Sequence, residues 1–372
     1  MIDQRFDKLA TQVIDYSISL KKGEKVLIDI WEGADDFGCA LMKAAYAVGG
    51  LPYVTHQSMK MNRIVMKNAT EEYMHDWLRY ESLRMQEMDA YIVVRRKENQ
   101  CEYNGIDPNR MRIFNKYYGQ LHFGIRIPHT KWCVLRYPNE AMAQQAGMST
   151  EEFENYYFKA CCIDYRKLCE RVAPLARLAA KTDKVRIIAP GTDMRFSIKG
   201  LCKPIPRCGQ RNVPCGETGM PIVVNSANGY ISYNVPSEFQ GTVFRDIKLV
   251  LKDGIIIEAT SSDTKRMNEI LDTDENARHI GEFAMGFNPF LTKTTLDAIF
   301  DEKRCKTIHF TPGNSENNPS AIHWDIVQSH AAEDGGGEIW FDDVLIRKDG
   351  LFVLDDLKPL NPNELIPYIE GR

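Results

Sequence analysis

The stretch Ile322-His323-Trp324-Asp325-Ile326-Val327 alternates apolar residues with residues that can bind a metal ion. A period of two is typical of a β-strand, which would place His323 and Asp325 on one face and the apolar residues on the other. We interpret the apolar face as core and the other face as a candidate site for a divalent metal. A hydrogen-bonded His–Asp pair on a half-buried strand is the alternative.

The length and composition of the chain favour a globular protein of two domains. At 372 residues the chain exceeds one typical core, and we expect an N-terminal domain over 1–182 and a C-terminal domain over 183–372. The formal net charge of -4 offers no overall basic field, so neither nucleic acid nor an anionic membrane is an expected partner. The N-terminus is charged and lacks the apolar core of a secretory signal, and no later segment resembles a membrane span. We therefore expect a cytoplasmic protein.

Ten cysteines are scattered along the chain without the spacing of a small disulfide framework. Reduced thiols fit this distribution and the expected compartment. Cys202, Cys208 and Cys215 come closest to a cluster, but no Cys-x-x-Cys pair is present. A thiolate zinc site there is a weaker alternative to buried or incidental cysteines.

The first part of the chain follows the rhythm of an α/β domain. Helical spacing of apolar residues predicts a helix over 4–19, and short β-branched runs predict strands at 25–30, 51–55 and 90–94 with helices between them. This pattern predicts an open, mostly parallel sheet with flanking helices. No Gly-x-Gly-x-x-Gly or Gly-x-x-x-x-Gly-Lys-Ser/Thr motif follows any of these strands, which argues against dinucleotide or P-loop chemistry.

The middle of the chain predicts a long bridging helix, and the remainder predicts a second, β-rich domain. We expect extended structure over 125–135, followed by a helix that opens at a Ser149–Glu152 capping box and continues to about residue 181. Beyond residue 183, short strands separated by Gly and Pro, with hairpin signals such as Lys252-Asp253-Gly254, predict a largely antiparallel α+β domain.

Three more residues that could bind metal lie in distinct settings. Glu282 stands in the apolar segment Ile280-Gly281-Glu282-Phe283-Ala284, where a buried carboxylate must be paired or bind metal. His309 lies in the strand-like Thr307-Ile308-His309-Phe310, for which a hydrogen-bonded core histidine is the alternative. Glu217 follows a turn-rich run, and by itself would be surface charge.

The order of these motifs resembles that of the aminopeptidase T family of two-metal metallopeptidases. The resemblance covers most of the chain, and it depends on the whole set of motifs: Lys22-Gly-Glu-Lys-Val-Leu27, Pro190-Gly-Thr-Asp-Met-Arg-Phe-Ser197, Asn212-Val-Pro-x-Gly-Glu217, Leu271-Asp-Thr-Asp-Glu-Asn-Ala-Arg278, Ile280-Gly-Glu282, Phe300-Asp-Glu302, His309 and Ser320-Ala-Ile-His323-Trp-Asp325.

The resemblance implies a set of site residues. The positions that match ligands of two divalent ions in the family are Glu217, Glu282, His309, His323 and Asp325, and Glu302 matches a further acidic position of the metal site. The family has a tyrosine a few residues after the first ligand histidine, whereas this chain has Glu316 there. Glu316 is therefore the candidate catalytic residue, either as a proton shuttle or, alternatively, on a loop away from the site.

Carboxylates and imidazoles of this kind suit two zinc, cobalt or manganese ions, which activate water and polarise a peptide carbonyl. The resemblance thus implies a metal-dependent aminopeptidase that hydrolyses N-terminal residues from peptides with a free N-terminus, and it implies a homodimer. A metal-dependent hydrolase of another amide and a non-catalytic metal-binding homologue are the alternatives.

Overall fold

A computed structural model of the chain describes residues 3–203, 205–206 and 208–371. Contacts divide it into two compact units, Met1–Cys162 with Gly209–Pro214, and Ile163–Cys208 with Cys215–Arg372. Within the described ranges, no helix is both long and apolar enough to cross a membrane. The expected domains 1–182 and 183–372 stay a prediction.

The first unit is built on a parallel sheet. Its strands are β1 (Lys25–Trp31), β2 (Leu51–Gln57), β3 (Ala90–Arg95), β4 (Lys131–Arg136) and β7 (Arg211–Asn212), in the order β2-β1-β3-β4-β7. Every pairing in this sheet is parallel. The five central residues of β1 are buried, as in sheets covered on both faces.

Helices flank this sheet. They are α1 (Gln4–Gln12), α2 (Asp35–Ala47), α3 (Met59–Lys67), α4 (Glu71–Gln86), α5 (Pro108–Leu121), α6 (Ile127–His129), α7 (Glu140–Gln145) and α8 (Thr150–Cys161), with π-helical turns at Val13–Ser17 and His122–Arg126. The predicted N-cap at Ser149 is present, because Ser149 Oγ accepts a hydrogen bond from the Glu152 backbone N–H at 3.2 Å.

The second unit is dominated by antiparallel strands. Its strands are β5 (Lys184–Ala189), β6 (Thr192–Ser197), β8 (Glu217–Pro221), β9 (Asn228–Tyr233), β10 (Ser237–Phe239), β11 (Thr242–Phe244), β12 (Ile247–Lys252), β13 (Ile255–Thr260), β14 (Ile280–Gly286), β15 (Thr307–Pro312), β16 (Val327–Ser329), β17 (Glu338–Phe341), β18 (Val344–Lys348) and β19 (Leu351–Phe352). Its helices are α9 (Tyr165–Ala179), α10 (Thr264–Leu271), α11 (Ala298–Asp301) and α12 (Pro362–Glu370), with 3-10 turns at Ala332–Asp334 and Lys358–Leu360.

These strands form an eight-stranded sheet, β13-β12-β9-β6-β5-β17-β18-β19, and a four-stranded sheet, β16-β15-β14-β8, besides the β10–β11 hairpin. The α/β class of the first unit and the β-rich character of the second are as the sequence predicts. The four-stranded sheet carries three of the six candidate metal ligands, Glu217, Glu282 and His309.

Two predicted elements are wrong in detail. The helix expected to continue from Ser149 to residue 181 is broken after Cys161, and α9 begins beyond Asp164, whose side chain caps it by accepting from the Arg166 and Lys167 backbone N–H groups. The extended structure expected over 125–135 begins only at Lys131, because the chain before it is helical from Pro108 to His129.

Candidate metal centre

The four-stranded sheet places four polar side chains on one face. Cross-strand pairing sets Glu217 of β8 opposite Gly286 of β14, and sets Ala284 of β14 opposite His309 of β15. Glu282 lies two and four residues before these partners, so it shares their face, and it pairs with Thr311. Glycine and alanine at the partner positions leave room for the longer polar side chains.

His309 lies at the centre of this group and is 1 % exposed. Its Nε2 atom is 3.3 Å from Glu282 Oε1, 3.7 Å from Glu217 Oε2 and 3.9 Å from Asp325 Oδ1. Its Nδ1 atom faces the Glu302 backbone carbonyl at 3.3 Å. That contact fixes the ring with Nε2 pointing at the three carboxylates, which is the usual arrangement of a metal-binding histidine.

The segment 322–327 contributes His323 and Asp325 to the group. His323 Nε2 lies 3.2 Å from Asp325 Oδ1 and 3.9 Å from Glu282 Oε1. The His323 Nδ1 atom faces the Asn314 carbonyl at 2.8 Å, and Thr311 Oγ1 donates to Asp325 Oδ1 at 2.8 Å. These contacts fix the orientation of the His323 and Asp325 side chains.

The alternation predicted for this segment holds, although a regular strand does not. The apolar residues that alternate with His323 and Asp325 are buried, at 3 % exposure or less: Ile322, Trp324 and Ile326. Ladder pairing is limited to a single bridge between His323 and Gly313 until β16 begins at Val327. Burial of alternate side chains, rather than a continuous ladder, thus sets the direction of His323 and Asp325.

Glu302 joins the group from the end of α11, and Lys303 joins with it. Asp301, Glu302, Lys303 and Arg304 are all buried, at 8 % exposure or less. Lys303 Nζ is 3.1 Å from Glu217 Oε1 and also forms an ion pair with Glu302 Oε1. Lys303 could not be recognised from the sequence, since four charged residues in succession are typical of a surface.

The ionisable groups of the site hold one another in charged forms. Burial alone would lower the pKa of His323, but the Asp325 and Glu282 carboxylates raise it to about 10. Burial also opposes ionisation of Glu282 and Asp325, yet the neighbouring imidazoles leave the pKa of each carboxyl below its usual value. The carboxylates therefore create a negative field that favours a cation.

The donor set fits a divalent metal. Glu217 Oε2 is buried without a hydrogen-bond partner, a costly state that a metal ion would relieve. In the part of the chain that the structure describes, two triads have ligand atoms within 4.8 Å of one another, namely Glu217–Glu302–His309 and Glu282–His309–Asp325. They share His309, and neither contains a cysteine, so the cluster considered around Cys202, Cys208 and Cys215 is not among them.

Glu316, the candidate catalytic residue, has a different environment from the ligand set. Its side chain is 63 % exposed and forms an ion pair with Lys203 at 3.7 Å. It lies on the loop between β15 and His323, on the same stretch of chain as Asn314. Its catalytic role stays a prediction.

Carboxylates and imidazoles that converge in this way are typical ligands of divalent metal ions. The match to the thermophilic metalloprotease family M29 spans residues 2–350, and the chain belongs to that family. Aminopeptidase PepS of Streptococcus thermophilus is 21 % identical over 339 residues, which cover 80 % of this chain and 81 % of the relative. Aminopeptidase T of Thermus thermophilus is 25 % identical over 362 residues, covering 84 % and 86 %.

Solved structures show the same fold. Wild-type AmpT from Thermus thermophilus superposes with a TM-score of 0.77 at 20 % identity, over 95 % of this chain and all, 100 %, of the other. The 2,5-dihydroxypyridine dioxygenase of Pseudomonas putida gives 0.58 at 12 % identity, over 95 % and 98 %. The predicted family, fold class and enzyme class, a metallopeptidase, are confirmed. Because an oxygenase has a similar fold, the reaction must be argued from the site.

Proposed function

We propose that the protein is a two-metal aminopeptidase that releases N-terminal residues from peptides. The observation that carries this proposal is the pair of ligand triads that share His309. Two metal ions that lie close together are bound by several carboxylates and few imidazoles. The two triads have this composition. The relatives named as aminopeptidases support the same reaction.

In this proposal the two triads hold different ions. Glu282, Asp325 and His323 would bind the first ion, and Glu217 and Glu302 would bind the second. His309 Nε2 has one lone pair and would bind one of the two ions. Bound zinc, cobalt or manganese would acidify a water nucleophile and polarise the scissile carbonyl. Lys303 would offset part of the negative charge of the second triad through its contacts with Glu217 and Glu302.

The other contacts assign supporting tasks to the chain's own residues. The Glu302 and Asn314 carbonyls orient the two imidazoles, and Thr311 orients Asp325. Four carboxylates meet in the site, which favours a substrate with a free α-ammonium group. Glu316 is exposed to water, and its carboxylate would accept a proton from the attacking water and then pass it to the departing amine.

A cytoplasmic location and a homodimer belong to the same proposal. All ten cysteines are thiols, the state expected in a reducing compartment. Analytical ultracentrifugation of the full chain tests the dimer, because a homodimer has twice the 42.6 kDa mass of the chain.

The direct test is reconstitution. The protein is stripped with a chelator, supplied with zinc, cobalt or manganese, and assayed on aminoacyl amides and on their N-blocked counterparts. Metal-dependent turnover restricted to free amines supports the proposal. Turnover of blocked amides would indicate a hydrolase of another amide, and two bound ions without turnover would indicate a non-catalytic homologue.

A matched pair of variants ties the activity to this site. His309→Ala removes the residue common to both triads and should lower the metal content. His279→Ala is the control, because His279 lies outside both triads and its ring contacts the Gly254 carbonyl at 3.0 Å. Equal metal content in the two variants would contradict the assignment of the centre.

A further inference from the structure

The first unit contains a cluster of cationic and aromatic side chains at one edge of its parallel sheet. We define this arginine cluster as Trp31, Arg95, Tyr118, His122 and Arg126. Trp31 ends β1 and Arg95 ends β3, and the carboxyl ends of parallel strands are the edge at which ligands of α/β domains bind. Arg126 and His122 lie on the π-helical turn that follows α5, a kind of turn often found at functional sites.

Neither arginine of the cluster has a carboxylate partner. Among the described residues, no Asp or Glu oxygen lies within ion-pair distance of the Arg95 or Arg126 guanidinium. Arg126 Nη1 lies 3.5 Å from Tyr118 Oη and 3.3 Å from His122 Nδ1, and Arg95 Nη2 lies 3.5 Å from the same tyrosine oxygen. Two guanidinium groups require more and closer acceptors than these neutral side chains provide.

Several buried donors of the cluster remain unsatisfied. Arg126 is 5 % exposed, and its Nε–H group is buried without an acceptor. The Nε–H group of Arg95 and the indole Nε1–H of Trp31 are in the same state. The Arg95 guanidinium lies 5.8 Å from the centre of the Trp31 ring, so these donors are close together. Buried donors without acceptors are rare in folded proteins and indicate a missing partner.

The carboxylate of this region, Asp29, is already engaged. It accepts from Thr55 Oγ1 at 2.8 Å and from Tyr91 Oη at 2.9 Å. The Arg126 guanidinium stacks on the Tyr91 ring at 4.1 Å, so it approaches this pair without joining it. Asp29 therefore acts on Arg126 only through space.

The electrostatic state of the neighbours agrees with surplus positive charge. Burial, with the Arg126 and Arg95 charges, lowers the pKa of His122 to about 3, so the imidazole is neutral. Burial would raise the pKa of Tyr118, yet the two guanidiniums outweigh it and lower that pKa. The cluster is rich in donors and poor in acceptors.

We propose that the arginine cluster binds a small oxyanion, a carboxylate or a phosphate, between the Arg95 and Arg126 guanidiniums and the Trp31 indole. Planar guanidinium groups bind both kinds of anion through paired N–H groups. Such a ligand would supply the acceptors that Nε of each arginine lacks. The proposal rests on contacts within the first unit and is independent of the peptidase assignment.

Isothermal titration of the full chain at fixed chloride concentration tests it, with inorganic phosphate in one arm and acetate in the other. We expect saturable binding of at least one anion at one site, and the arm that binds more tightly identifies the class. Arg126→Gln should weaken that binding by about tenfold or more, since it removes a charge-assisted hydrogen bond. Arg79→Gln removes the same charge from an exposed position paired with Asp76 and should leave it unchanged.

Two further variants keep the test decisive if Arg126→Gln does not fold. Arg126→Lys retains the charge but loses the planar fork, and Tyr118→Phe retains the ring but loses the hydroxyl that contacts both arginines. Each should weaken binding while circular dichroism remains that of the wild type. The absence of saturable binding in both arms, or equal affinity in wild type and the folded variants, would overturn the proposal.

Discussion

Lys303 Nζ lies 3.1 Å from Glu217 Oε1, and the Lys303 side chain is completely buried. A buried ammonium group must be paired, and here both of its partners, Glu217 and Glu302, are candidate ligands of one triad. One half of the proposed centre therefore contains a permanent internal cation, whereas no lysine or arginine pairs with the described Glu282–His309–Asp325 triad. The two halves should bind metal with unequal affinity.

Lys303→Met tests this inequality. Removing one partner of a buried ion pair leaves two carboxylates uncompensated, so the metal-free variant should lose about 3 to 5 kcal/mol of stability. Added zinc should restore more of the melting temperature than it does in wild type, because the ion replaces the missing charge. Calorimetric metal titration should show the weaker binding step becoming tighter.

The control for that experiment is Lys306→Met, whose ammonium group pairs with Glu333 at 3.6 Å and whose partner is exposed. It should change neither stability nor metal affinity appreciably. If both variants respond to zinc as the wild type does, Lys303 is not part of the second triad's charge balance.

Arg347→Lys is expected to weaken the sheet that carries the site. Arg347 is 1 % exposed, and its guanidinium donates to the carbonyls of Gly286, Thr307 and Gly350. Lysine cannot satisfy three carbonyls in this fork geometry, so unfolding in urea should require about 2 to 4 kcal/mol less free energy. Arg195→Lys, at a mostly exposed position, is the control. Equal midpoints would remove Arg347 as a support of β14 and β15.

Gly286→Ala is expected to displace the backbone around Glu302 and Arg304. A Cβ atom at Gly286 would lie 2.3 Å from the Arg304 carbonyl oxygen and 2.9 Å from that of Glu302. Backbone atoms cannot move aside cheaply, so we expect a loss of about 1 to 3 kcal/mol together with weaker metal binding. Gly119→Ala in α5 is the control, since its Cβ would meet only Phe123 at 3.9 Å, and it should stabilise slightly.

His330 should make the protein less stable in acid. Burial, with the nearby Arg347 charge, lowers the pKa of His330 to about 3. Between pH 6.5 and about 3 the unfolded chain binds a proton there and the native protein does not, so stability falls as pH falls through that window. From pH 7 to pH 5 this single group should cost about 2 kcal/mol.

His330→Gln removes that contribution and keeps a donor toward Gln328, which His330 Nε2 contacts at 2.8 Å. Urea unfolding of the metal-free protein at both pH values should therefore show a smaller difference in the variant than in wild type. His75→Gln, at an exposed position of α4, is the reference. A variant with the full acid dependence of the wild type would show that other groups cause it.

Local pattern points to part of the candidate centre, and the full ligand set follows only from the family resemblance. Apolar residues alternate with His323 and flank Glu282 in the sequence. Such neighbours indicate that this part of the chain is buried. The burial of Glu302 and Lys303 could not be predicted this way. The charged residues there are buried by contacts with distant parts of the chain, such as the contact of Lys303 with Glu217, which is a tertiary effect.

Dependence on tertiary structure also explains the two incorrect predictions of secondary structure. A helical period continues through residues 150–179, and only the capping by Asp164 shows that it restarts as a new helix. The helical content before Lys131 arises from α5 and the π-helical turn, whose aromatic residues also fit a strand. The arginine cluster also could not be predicted from local sequence. Its members come from β1, β3, α5 and the turn after α5, and they meet only in the folded unit.

Glu316→Gln addresses the remaining question, how a proton reaches the leaving amine. If Glu316 is the shuttle, kcat should fall by about 100-fold to 10,000-fold, the range that general acid–base catalysis contributes, while metal content stays at the wild-type value. Lys203→Gln should free the Glu316 carboxylate from its ion pair at 3.7 Å without lowering metal content. Glu275→Gln, at an exposed position, controls for the lost charge. An unchanged kcat would remove Glu316 from the reaction, and a fall in bound metal would assign it to the ligand set instead.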